Sequence, residues 1–140
     1  MPLSEYTLIS ELDYMPVGQL RELQLARLQE LVSHAYANVP LTRQRMDERG
    51  VRPEHITSLK DIALLPFMMK NDLRDTYPFG LFASPMEDIV RFHCSSGTTG
   101  KPIVIGNTAG DLDIWQRCVM RSLAMCGITK HDIVQVAYGY

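Results

Sequence analysis

Apolar residues Leu20, Leu23, Leu28, Leu31, Val32, Ala35 and Tyr36 recur at spacings of three, four and five, which predicts one long amphipathic helix over 17–37. Asn38-Val39-Pro40 ends it, because the residue before a proline is pushed out of helical geometry. Residues 41–49 read as a second, short helix stopped by Gly50, the usual left-handed residue past a helix C-terminus. Ser58, with Asp61 three positions on, is a capping start for another short helix, and a further helical turn covers 71–75.

After Pro85 the period changes. Residues 88–94 predict a strand, and Ile103-Val104-Ile105 its β-branched partner. Thr108, three residues before Asp111, caps a helix whose apolar face is Leu112, Trp115, Val119, Leu123 and Cys126, and Gly127 terminates it. Residues 133–138 read as a buried strand. Strand, loop, strand, helix, strand opens an α/β layer, so the expected fold class is α/β, with a helical segment over 1–85 and the start of a β-sheet layer over 86–140. A sheet this small has unpaired edges, and Tyr140 follows directly on the last strand. The expectation is therefore a fragment of one larger domain.

With 140 residues, 46% of them hydrophobic, the chain can close one core or part of a larger one. A net charge of -2 without a Lys/Arg cluster argues against a nucleic-acid partner, whose phosphates would need such a cluster. Met1-Pro2-Leu3-Ser4-Glu5 lacks the basic and then apolar start of a secretory signal. The apolar run over 62–69 is broken by Pro66 and too short to cross a bilayer, so the expected setting is cytoplasmic, with no membrane partner. Cys94, Cys118 and Cys126 form no close pair and are expected to be free thiols serving as small buried hydrophobes.

Candidate chemistry concentrates between the two predicted strands, in Ser95-Ser96-Gly97-Thr98-Thr99-Gly100-Lys101-Pro102. Gly97 and Gly100 allow sharp turns and close backbone approach. Ser95, Ser96, Thr98 and Thr99 add hydroxyl donors, and Lys101 a flexible point charge, which together suit the anionic tail of a nucleoside triphosphate. The pattern is not a Walker A loop: two residues separate the glycines, proline follows the lysine, and a strand follows the proline. A hairpin tip chosen only for turn propensity would use the same Ser, Thr and Gly, and on spacing alone both readings stay open. His93 and Cys94 are neighbours on a strand and so face opposite ways, which argues against a thiol–imidazole pair. His34, His55 and His131 share no ligand spacing and read as surface residues, Arg91 as a solvent-facing strand residue, and Met68-Met69-Lys70 as packing.

The loop resembles the phosphate loop of the adenylate-forming acyl-CoA synthetase superfamily. Leu64-Leu65-Pro66-Phe67, Lys70, Asp72-Leu73-Arg74-Asp75-Thr76-Tyr77-Pro78-Phe79-Gly80-Leu81-Phe82-Ala83 and Ala137-Tyr138-Gly139-Tyr140 are similar to the phenylacetate-CoA ligase branch of it. That resemblance implies the N-terminal portion of an AMP-forming ligase that uses ATP, magnesium (Mg2+) and coenzyme A. Its small-molecule partner would be an aromatic carboxylate such as phenylacetate, and its assembly a homodimer. It places the β- and γ-phosphates on Ser95, Ser96, Gly97, Thr98, Thr99, Gly100 and Lys101, and the wall of the aryl pocket at Tyr138, Gly139 and Tyr140. No residue of this stretch is implied as a nucleophile. The later adenine- and ribose-binding motifs, the magnesium-binding acid and the lid lysine of the family are not in these 140 residues, so the fragment alone is expected not to turn over. Met68-Met69 stands where smaller polar residues are expected, and Cys94 where alanine is common. A synthetase adenylylating another acceptor, such as a deazaflavin hydroxyl, and a truncated non-catalytic binding module remain as alternatives.

Overall fold

The computed structural model describes residues 10–95 and 101–137. Helix α1 spans Val17–Asn38 and α2 spans Pro40–Glu48, separated by the single extended residue Val39 (φ -110°). Proline starts α2 one position earlier than expected: its fixed φ suits a first helical turn, where a missing N–H costs nothing. At the other end Gly50 takes φ 65°, and two bonds close the turn, Gly50 N–H to Asp47 O at 2.9 Å and Val51 N–H to Met46 O at 2.8 Å. The returning chain thereby drops Val51 onto Met46, and these two, with Val32 and Ile56, are the buried centre of the helical half. Leu28, Tyr36 and Leu65 pack around them.

Short 3-10 turns connect this half to the next. Ser58 caps Leu59–Leu64 reciprocally with Asp61, whose carboxylate accepts the Ser58 N–H at 2.7 Å. Helix α3, Asp72–Asp75, precedes strand β1 at Ile89–Cys94, which pairs antiparallel with β2 at Val104–Thr108. Helix α4, Ala109–Met125, starts at the expected Thr108–Asp111 box and stops at Gly127 (φ 81°). The fold is mixed: α1, α2 and α3 come first, then the two-stranded sheet, then α4. No described helix is long and apolar enough to cross a membrane.

Three expectations are corrected. Residues 133–137 form no strand, and Ile133 is fully exposed; a strand exists by pairing, and no described segment pairs with this one. Cys94, Cys118 and Cys126 are exposed rather than buried. Cys94 lies on an outward position of β1, and the other two lie on or next to α4, which has no buried residue. Met68 and Met69 are exposed as well, so they do not pack into the core.

One contact explains a glycine that the hydrophobic pattern leaves unexplained. Gly106 on β2 faces Phe92 on β1, and a Cβ there would lie 2.5 Å from Cε2 of Phe82. The Phe82 ring occupies that space and stacks on Phe92 with centroids 6.2 Å apart, while Phe79 joins both at 5.2 and 5.8 Å. Gly106→Ala is expected to force Phe82 out and cost about 1–3 kcal/mol, the range for overpacked sites, as read from the urea midpoint.

Candidate functional site

The β1–β2 hairpin determines where the Ser/Thr/Gly-rich loop leaves and re-enters the fold. Beyond the Cys94–Val104 pair, Ser95 N–H donates to Ile103 O at 3.0 Å, and Ile103 N–H donates to Ser95 Oγ at 2.9 Å. Ser95 thus ends the ladder with its own side chain, and its hydroxyl proton stays available to a ligand. Lys101, on the returning side, is exposed, and its Nζ lies 5.9 Å from the centroid of the Tyr77 ring. Ser96, Gly97, Thr98, Thr99 and Gly100 lie outside the described residues, as do Tyr138, Gly139 and Tyr140.

Tyr77 went unnoticed as a site neighbour in the sequence, and the elements beside it show how it is fastened. Asp72, buried at the start of α3, takes Arg45 of α2 in a fork, Nη1 to Oδ2 and Nη2 to Oδ1, both at 2.6 Å. It also accepts the Met69 N–H at 2.6 Å, and its own carbonyl accepts the Thr76 hydroxyl at 2.6 Å. Arg45, again through Nη1, reaches the Phe67 carbonyl at 2.9 Å. The helical half therefore clamps the segment that carries Tyr77.

The Arg45 hydrogen bonds, and next the Met69 N–H, hold the Asp72 carboxyl below the usual carboxylate range, and the same contact pushes Arg45 up. A carboxyl lowered on folding stabilises the native chain fully above the ordinary unfolded value of about 3.9, and that contribution is lost as pH falls through the lowered folded value. Acid unfolding followed by circular dichroism is expected to show this loss below about pH 4. Asp72→Asn should lower stability at neutral pH and flatten the acid dependence. Asp61 and Asp132, also held down, by N–H donors of Thr57 and Ser58 and of Thr129, keep a residual slope.

The remaining candidates do not converge on chemistry. His93 points inward, edge-on to Trp115 at 5.2 Å and 3.2 Å from Asn107 Nδ2, while Cys94 points out, as strand alternation requires. His34, His55, His131 and Arg91 are exposed. Among the described residues no group of three or more His, Cys, Asp or Glu is placed to hold a metal ion. An apolar groove of about 280 Å³ lies between α1, α2 and the Leu59–Leu64 turn, lined by Leu31, Ala35, Leu41, Phe67 and others, with none of the expected site residues.

No family model matches the chain. Phenylacetate-coenzyme A ligase of Pseudomonas putida is 49% identical over 137 residues, which is 98% of this chain and 31% of that protein. The enzyme of the same name from Aromatoleum evansii is 52% identical over 122 residues, 87% of this chain and 28% of its own length. Among solved structures, 2-hydroxyisobutyryl-CoA ligase with 2-HIB-AMP and CoA in the thioesterification state superposes with a TM-score of 0.74 and 31% identity, covering 81% of this chain and 25% of that one. The same ligase in its postadenylation state with 2-HIB-AMP gives a TM-score of 0.72 at 28% identity, covering 81% of this chain and 25% of that one. The chain spans under a third of the curated relatives it matches.

Proposed function

We propose, from a chain that belongs by sequence to the phenylacetate-CoA ligase family, that it is the phosphate-holding portion of an AMP-forming acid–thiol ligase. In the reaction proposed, a carboxylate oxygen bonds to the α-phosphorus of ATP as the α–β bridging P–O bond breaks, releasing pyrophosphate. The thiol of coenzyme A then gives up its proton to water as its sulfur bonds to the acyl carbon of the adenylate, and AMP leaves with the electron pair of the acyl–oxygen bond.

This chain's contribution lies in the first step. Negative charge grows on the departing pyrophosphate, and a fixed donor set with one ammonium stabilises that charge more than the ground state. We assign Ser95, Ser96, Gly97, Thr98, Thr99, Gly100 and Lys101 to the β- and γ-phosphates. The observation that carries the reading is the hairpin closure at Ser95 and Ile103, which brings both ends of that stretch to one point and leaves Lys101 exposed there. Tyr138, Gly139 and Tyr140 are proposed for the wall of an aromatic-acid pocket, where a ring can pack edge or face on a phenyl group. Phenylacetate is the proposed acid, on the names of the curated relatives. The proposed setting is the cytoplasm, in keeping with three free thiols.

A chimera tests the reading: this chain replaces the matching 137 residues of the Pseudomonas putida ligase. Phenylacetate-dependent exchange of labelled pyrophosphate into ATP is the expected outcome. A folded chimera that exchanges without any carboxylate, or not at all, contradicts it.

A further inference from the structure

The loop lysine has a neighbour that nothing in its own stretch of sequence announces. Lys101 Nζ sits over the ring of Tyr77, 5.9 Å from the centroid, within the range where a cation is drawn to an aromatic face. The segments that carry the two partners, both exposed side chains, are held by packed structure. On one side Tyr77 follows Thr76, whose hydroxyl bonds to the Asp72 carbonyl, and Asp72 is forked to Arg45. On the other side Phe79 and Phe82 pack on Phe92, with Phe82 seated over Gly106. Phe92 and Gly106 belong to the same hairpin that presents Lys101. The ring and the ammonium are therefore brought together by one assembly, and their separation does not depend on the lysine's own rotamers alone.

A lysine stem has four rotatable carbons and loses much rotamer freedom when its ammonium is fixed by a ligand. A ring face that already restrains the stem reduces that loss. Because the ring engages one side of a three-donor ammonium, the N–H groups turned away from it remain free for phosphate oxygens. We propose that Tyr77 is a positioning residue for Lys101, holding its ammonium ready for an anionic phosphate ligand. This rests on the phosphate-loop reading given above.

The test is pyrophosphate binding by calorimetry to the chimeric ligase described above. Tyr77→Leu is expected to weaken binding about twofold to fivefold, as loss of a solvent-exposed cation–π contact implies. Tyr77→Phe, which keeps the ring, should restore wild-type affinity. In a Lys101→Met background, Tyr77→Leu should make no further difference, because the two side chains act as a unit. Tyr77→Leu binding as tightly as wild type overturns the proposal. So does Tyr77→Leu weakening the Lys101→Met chain by the same factor, which marks a merely structural role. A wild-type chimera with no pyrophosphate affinity instead removes the phosphate-loop reading itself, and Tyr77's role with it.

Discussion

Replacing Lys101 by alanine is expected to lower pyrophosphate exchange in the chimeric ligase by about 10²–10³-fold, the loss typical of deleting one preorganised donor to developing charge. The lysine is exposed at the hairpin end, so its loss leaves no cavity and no buried partner unpaired. Folding should be unchanged, and the far-ultraviolet spectrum together with the urea midpoint checks this. Lys101→Arg should recover part of the rate: it restores charge, but its planar fork is not the compact point charge a lysine offers to a phosphate. Ser95→Ala should behave differently from Lys101→Ala. Its Oγ also receives the Ile103 N–H, so some of its effect will appear as a loosened hairpin and not as a lost ligand.

The second large effect is on stability. Met46 is 1% exposed at the centre of the helical half, against Val32, Val51 and Ile56. Met46→Ala is expected to cost about 2–5 kcal/mol, from lost transfer free energy plus the cavity left behind. Against a total of about 5–15 kcal/mol for a typical domain, that is a large fraction. Met46→Leu conserves volume and should cost less than about 1.5 kcal/mol. Urea denaturation at neutral pH separates the two. Because α2 also supplies Arg45 to Asp72, the alanine variant should loosen the Tyr77 segment too, and proteolysis near residue 77 should rise with it.

What could be read in the residues was local. Gly50 and Gly127 mark helix ends because each must take positive φ, and Thr108 with Asp111 marks a helix start because the box needs only that spacing. The 17–37 periodicity located α1 because one side of it is buried on Met46 and Ile56. The loop's proposed chemistry rests on residue types gathered in eight positions, of which 96–100 lie outside the described residues. The contacts that hold that loop's surroundings could not be read from spacing. Arg45 and Asp72 are 27 positions apart, and no spacing rule joins a guanidinium on one helix to a carboxylate on another. Phe82 over Gly106 and Tyr77 beside Lys101 are likewise products of packing, visible only once the hairpin is placed. Burial of the cysteines and of residues 133–137 was misjudged for the complementary reason: apolar character indicates what a residue can bury, not what lies near enough to cover it.

The position of ATP's phosphates in a crystal structure of the chimera tests the central claim most directly. The account predicts β- or γ-phosphate oxygens within about 3.2 Å of Lys101 Nζ, with Ser95 Oγ donating toward the same group. Phosphates bound elsewhere, with Lys101 still turned to solvent, would contradict it.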